Sequence, residues 1–275
     1  MSFPEQFTGA PATKVQTRQT LHTSVCQWQG PRGLVFEKVH QDPARLQREY
    51  AALTTHAADL GCSPAVLGRS EDTLWLSALP GRTRSAEELP AAAWRAAGQW
   101  LRRAHERPVV TSDPLPLEGA LMRRWNSLSK RARKVVAPAV VHACREIIGH
   151  PAHLATRRVW CHRDFTPDNW LWEPGNWSVL DFEHARPDEP WSDLVKLEAD
   201  AFVLNPARRR AFYDGYGPNP HAAQHRPRVC WHGLATLTWG LRHGQAAFTQ
   251  TGWRILGGLN IINQARGGDP TRAPR

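Results

Sequence analysis

The sequence predicts an α+β protein of two lobes: a small β-rich N-terminal lobe with one helix, followed by a larger, mostly helical C-terminal lobe. Three observations lead there. The first 78 residues carry short apolar runs around one helical stretch, in the order β-β-α-β-β. A Pro-Gly break after Leu79, in LPGRTRS, then separates them from segments with helical periodicity. The length, 275 residues, is ample for two lobes with a buried core. The boundary falls between 1–78 and 79–275.

Residues 1–16 are polar and interrupted by Pro4, Gly9 and Pro11, so a loose arm is expected. TLHTSVCQWQG and LVFEKVH read as two strands, with Gly30, Pro31 and Gly33 turning the chain between them. In DPARLQREYAALTTHAADLG, Asp42 is the expected N-cap and Pro43 the first helical residue; Leu46, Tyr50 and Leu53 repeat at helical spacing and Gly61 ends the run. AVLGRSEDTLWLSAL adds two short strands. From Ala86 to Pro108, Leu89, Trp94, Ala97 and Leu101 share one helical side, and a second helical stretch covers 117–148. Two very short strands, NWLW and SVLDF, flank the turn EPGNW. From Trp191 to Gly257 the chain is mostly helical, and the tail 267–275 is expected to be flexible.

Composition narrows the function. With 41% apolar and 22% charged residues, the chain reads as a soluble globular protein. No run of about 18 apolar residues predicts a membrane span, and the first residues lack a secretory pattern. Five scattered cysteines without a C-x-x-C pair point to a reducing cytoplasm. The net charge of +10 suits an anionic partner such as nucleotide or nucleic acid, or reflects a generally Arg-rich composition. The densest basic runs, RRWNSLSKRARK and ARRRAF, read as solvated helix faces without interleaved stacking aromatics, so no nucleic-acid partner is expected.

The segment CHRDFTPDN, Cys161 to Asn169, carries the chemistry. His162, Asp164 and Asn169 fit H-x-D-x-x-x-x-N, the spacing of protein-kinase catalytic loops. In that chemistry the Asp accepts the proton of an attacking hydroxyl and the Asn reaches a magnesium ion on the phosphates. A polar loop matching by chance is the alternative for the segment alone. Asp181 follows twelve residues after Asn169, at the end of an apolar strand, where a short hairpin brings it back as a second magnesium carboxylate. By itself it is equally a strand-end residue. Lys38, on the second predicted strand, and Glu49, on the next helix, read as a phosphate-binding lysine and its partner, or as an ordinary strand lysine and an exposed helix acid. The order strand Lys, helix Glu, hinge, catalytic loop, hairpin Asp is the specific signal.

At this point the chain resembles the aminoglycoside phosphotransferase and choline-kinase-like group of small-molecule kinases. HRDFTPDNWLW is similar to that group's loop, including Pro167 and Leu171; VLDFEHA to its Asp segment, with Glu183 where a further acid often occurs; LPGRTR to its hinge; and WSDLVK to the segment in which Asp193 is structural. The resemblance covers about residues 20–255. It implies a protein-kinase-like fold, with ATP between the lobes and adenine on the hinge backbone at Ser77, Ala78 and Leu79. Arg163 departs from the small residue usual there. No G-x-G-x-x-G precedes Lys38, where Thr23 and Ser24 stand, and no A-P-E follows Asp181, which disfavours a peptide substrate.

The expected activity is ATP- and Mg²⁺-dependent O-phosphorylation of a small hydroxyl compound. Asp164 is the base or hydroxyl-orienting group and His162 braces its loop; Asn169 and Asp181 hold Mg²⁺; Lys38 holds the nucleotide phosphates and Glu49 orients Lys38. An antibiotic-resistance role is the leading expectation, with a metabolic kinase for choline, a sugar or an amino alcohol as the alternative. A non-catalytic kinase-like binding protein is the alternative of another class. The stretch Gly215–Gly268 has no Asp or Glu, which argues against a polycationic aminoglycoside. Trp231, Trp239 and Trp253 read as core, or as walls of a substrate cleft.

Overall fold

The computed structural model describes residues 3–19, 22–109, 115–218 and 222–261. The tail 267–275 lies outside the described residues.

The N-terminus departs from the loose arm expected for 1–16. Phe3–Thr8 form a helix, α1, and Thr13–Gln19 a strand, β1. All seven residues of β1 are exposed, so it has no apolar alternation to reveal it. Backbone pairing to β2 (Thr23–Gly30) holds it, and Lys14 and Arg18 decorate the open edge of the sheet. β3 (Gly33–His40) follows, so Lys38 lies on the third strand, not the second.

α2 (Pro43–Thr54) starts as expected, with Asp42 accepting from the Ala44 amide at 2.8 Å. It stops earlier than expected. The hydroxyls of Thr54 and Thr55 donate back to the carbonyls of Tyr50 and Ala51, at 2.8 and 2.6 Å, and Thr55 leaves helical geometry at φ −127°. A separate helix, α3 (His56–Leu60), follows it. β4 (Val66–Arg69) and β5 (Thr73–Ser77) complete an antiparallel sheet of order β1-β2-β3-β5-β4.

The larger lobe opens with α4 (Ala91–Glu106). The expected stretch 117–148 is two helices, α5 (Leu117–Ala132) and α6 (Pro138–Ile148), because Pro138 holds Ala137 extended at ψ 136°. β6 (Val159–Cys161) leads into the segment 162–169, and β7 (Trp170–Glu173) pairs with β8 (Asn176–Val179) as the expected hairpin. β9 (Arg186–Asp188) pairs back on β6. These two strands are too short to show alternation in sequence. Helices α7 (Trp191–Ala199), α8 (Ala201–Leu204), α9 (Pro206–Tyr216), α10 (His225–His243) and α11 (Ala246–Gly258) follow.

One apolar cluster runs from Leu46, Leu53 and Leu74 in the sheet lobe to Trp94, Trp100, Phe165 and Phe212 in the helical lobe. A second, with Leu121, Trp125, Cys144 and Leu234, lies under α5, α6 and α10. Trp100 joins the parts: its ring stacks on Phe165 at 5.6 Å, and its Nε1 donates to the Gly61 carbonyl at 3.1 Å. Trp239 is 39% exposed, against the core expectation, while Trp231 and Trp253 are half-buried.

Two glycines let α4 and α9 touch. A Cβ on Gly98 would sit 2.1 Å from the Phe212 carbonyl oxygen, and one on Gly215 would sit 2.1 Å from that of Arg95. Both obstacles are backbone and cannot rotate aside. Gly98→Ala is therefore expected to destabilise the protein by about 1–3 kcal/mol through forced helix separation, in spite of alanine's better helix propensity. A thermal melt at or above the native midpoint would refute this.

Candidate active site

The segment 161–169 is suspended from one buried acid. Asp193, on α7, is 1% exposed and accepts from the backbone amides of His162 (3.1 Å) and Arg163, and from His105 Nε2 (3.0 Å). Arg163 has a left-handed backbone, φ 67°, which turns the chain so that both amides face that carboxylate. His162 is fully buried; its Nε2 donates to the Leu180 carbonyl at 2.8 Å and its Nδ1 accepts from the Asp164 amide at 3.2 Å. The ring therefore bridges the segment to the end of the β8 strand, just before Asp181. Asp193→Ala removes an acceptor from three buried donors. It is expected to cost at least about 2 kcal/mol of stability and to lower turnover with it; an unchanged urea midpoint would contradict the suspension role.

Asn169 Nδ2 donates to the Asp164 backbone carbonyl at 2.8 Å and to its carboxylate Oδ2 at 3.2 Å. Lys196 Nζ, from α7, is bonded to the other oxygen, Oδ1. Burial would raise the Asp164 pKa, but Lys196 outweighs it and holds the carboxyl below the usual range. Sequence reasoning missed Lys196: it lies 32 residues downstream, on a helix face with no motif of its own.

Lys38 and Glu49 meet as anticipated from their order. Lys38 Nζ lies 2.9 and 2.7 Å from the two Glu49 oxygens and 2.7 Å from Asp181 Oδ1. Glu49 is not the exposed helix acid of the alternative reading; it is 1% exposed. It also accepts from the Phe182 amide at 3.2 Å, and His40 Nε2 lies 2.9 Å from it. Burial would lower the lysine pKa, but Glu49 and Asp181 prevail and raise it above the ordinary lysine range. Burial would likewise raise Asp181, and Lys38 prevails in lowering it. Asp181 also has a left-handed backbone, φ 65°.

Glu183 makes no hydrogen bond or ion pair with Lys38 or Asp181 among the described residues and instead shares His40 with Glu49. It is bonded to Arg45 of α2 at 2.6 Å and lies 3.7 Å from His40 Nδ1, so it ties the two lobes together. Ser77, Ala78 and Leu79, expected to form the hinge, are half-buried at the end of β5. Ser77 exchanges bonds with Ala65, while Ala78 and Leu79 make no backbone hydrogen bond among the described residues. Beyond them, Arg82 pairs with Trp172 on β7, beside a groove of about 350 Å³ lined by Gly81, Arg82, Arg84, Trp172 and Glu173.

Asp181 Oδ2 and Asn169 Oδ1 have no hydrogen-bond partner among the described residues. Hard, unspent oxygens from one carboxylate and one amide are the donor set magnesium takes alongside phosphate oxygens. His105, Cys161 and Asp193 also converge, with ligand atoms within 4.8 Å of one another. Their bonds are already spent on bracing, and burial, followed by the nearby Asp193, pushes the Cys161 thiol well above its ordinary pKa. Cys161 is thus a packed thiol and not a nucleophile.

Residues 23–230 match the profile of the phosphotransferase enzyme family. No curated protein matches by sequence search. Among solved structures, the macrolide 2'-phosphotransferase MphH from Brachybacterium faecium aligns with a TM-score of 0.67 at 17% identity, over 95% of this chain and 93% of that one. The GDP and kanamycin complex of APH(2")-IIia aligns at 0.68 and 16% identity, over 92% and 94%. A Plasmodium vivax ethanolamine kinase aligns at 0.67 and 12% identity, over 96% and 86%. At these identities the likeness establishes the shared fold.

Proposed function

The chain belongs to the phosphotransferase enzyme family, and on that premise we propose that it transfers the γ-phosphoryl group of ATP to a hydroxyl of a small molecule. The observation that carries the reading is the convergence of Lys38 and Glu49, from the sheet lobe, with Asp181 of the hairpin after the catalytic segment. Three residues far apart in sequence and of the expected types thereby meet, and the charge of Asp181 is felt at Asp164. Structural neighbours holding GDP or ADP support nucleotide use.

In this reading Ala78 and Leu79 offer their unspent backbone groups to the base. Lys38 takes phosphate oxygens and Glu49 keeps it in place. Asn169 Oδ1 and Asp181 would hold magnesium, which when bound screens the charge of the phosphates. Asp164, held acidic by Lys196, is a weak base in the ground state. Its main contribution is to orient the acceptor hydroxyl and to take the proton late, as a loose phosphoryl-transfer transition state permits.

The test is nucleotide consumption with magnesium, ATP against GTP, over aminoglycosides, cyclic peptide antibiotics, nucleosides, choline and sugars. Turnover on any acceptor class supports the kinase. Absence of both turnover and Mg·nucleotide binding would return the chain to the non-catalytic class. An antibiotic-modifying role draws on the macrolide and kanamycin neighbours, and a metabolic one on the ethanolamine kinase. The charge of the acceptor cavity bears on this choice.

A further inference from the structure

A cavity of about 220 Å³ opens between α5, α7 and α10. Lys196, which reaches Asp164, is part of its lining, so the cavity lies on the acceptor side of the carboxylate rather than the Lys38 side. Leu121, Trp191, Val195, Trp231 and Ala235 make its apolar wall. Its charged lining is Arg124, Arg163, Lys196 and Arg228 against one carboxylate, Glu189.

The neighbouring acids do not restore balance. Arg124 and Arg163 both approach a single buried carboxylate, Asp188, at 2.8 Å. Arg228 lies 2.8 Å from Glu189, whose own pKa burial pushes up to about 7, so that near neutrality it supplies only part of a negative charge. Arg186, on β9, has no ion-pair partner among the described residues. Burial first, and then the nearby Arg163, draws its guanidinium down to about 10. The four lining cations, Arg124, Arg163, Arg228 and Lys196, face three paired carboxylates, Asp164, Asp188 and Glu189, and behind them Arg186 is offset by the buried Asp193. One positive charge is left over on the cavity side of Asp164.

We propose that this cavity binds an anionic alcohol as the acceptor: a molecule carrying phosphate or carboxylate oxygens alongside the hydroxyl to be phosphorylated. The inference rests on the kinase reading and specifies its substrate class. The anionic group sits among the guanidiniums, the carbon skeleton lies on Trp231, and the hydroxyl meets Asp164. In the transfer, the hydroxyl oxygen forms a bond to the γ-phosphorus of the nucleoside triphosphate. The bond from that phosphorus to the β,γ-bridging oxygen breaks, the diphosphate leaves with the electron pair, and the hydroxyl proton passes to Asp164. A polycation would meet like charge from Arg124, Arg163, Arg228 and Lys196.

Calorimetry on the whole protein, with a matched six-carbon set, tests this: glucose 6-phosphate, gluconate, glucose and glucosamine, each with and without Mg·nucleotide. At least one anionic probe is expected to bind about tenfold or more tighter than glucose, with glucosamine weakest. Preference for glucose 6-phosphate marks a phosphorylated acceptor, and preference for gluconate a hydroxy acid. Arg124→Gln should weaken the anion at least fivefold. Arg186→Gln, which leaves the Asp188 pairs untouched, should weaken it in the same direction even if the first variant folds poorly. Glucose or glucosamine binding as tightly as the anions, no anion binding, or anion binding that survives both substitutions would each overturn the proposal. Mg·nucleotide binding without an anion preference sinks the cavity assignment and leaves the kinase. Anion binding without any nucleotide binding sinks the kinase, and the acceptor role with it.

Discussion

Asp164→Asn is expected to lower phosphoryl transfer by roughly 10² or more while leaving nucleotide affinity near its native value. The asymmetry follows from what Asp164 touches. Its oxygens face Lys196 and Asn169, and neither faces Lys38 or the hinge. Asparagine preserves the shape and keeps one oxygen for Lys196, so the fold is retained. It cannot accept the hydroxyl proton, and its amide presents donors where the hydroxyl needs an acceptor. Single-turnover rates beside nucleotide titrations separate the two effects. Full activity in this variant would remove Asp164 from its role, and loss of nucleotide affinity in equal measure would place it on the nucleotide side of the cleft.

Lys38→Ala should have the largest effect on the protein as a whole. Glu49 is 1% exposed and its charge is balanced chiefly by Lys38. Removing the lysine strands a buried carboxylate, at a cost of about 3–5 kcal/mol. Nucleotide binding should be lost with it. The two consequences are separable. Lys38→Met combined with Glu49→Leu replaces the ion pair by apolar packing, and should recover part of the stability without recovering nucleotide affinity. A single Lys38→Ala variant with a native urea midpoint would show that Glu49 is stabilised by His40 and the Phe182 amide alone.

The fold was legible where periodicity or capping left a mark. Asp42 and Pro43 announced α2, and the turn EPGNW announced the β7–β8 hairpin. It was illegible where a feature had no pattern of its own. β1 buries no side chain, and the breaks at Thr55 and Ala137 depend on local hydrogen bonding and on one proline. Of the site, the residues named from motif order lie together in space: Lys38 with Glu49 and Asp181, and Asp164 with Asn169. Lys196, His40 and the suspension of the loop from Asp193 through His105 depend on which helix faces which, and spacing along the chain carries no such information. The cation-lined cavity between α5, α7 and α10 had a signal half-visible beforehand, the absence of acids from 215 to 268.

The stacking of Phe165 on Trp100 has a dynamic consequence. Active-site loops are commonly among the first segments to open, but here the catalytic loop has its central side chain fully buried among Trp100, Trp170 and Trp177. That aromatic lattice is continuous with the main core, so freeing the loop requires the lattice to come apart. Hydrogen exchange at 162–165 should therefore track global unfolding, whereas Ala78 and Leu79 should exchange freely. In the kinase reading, loss of the catalytic geometry and global unfolding are then expected together.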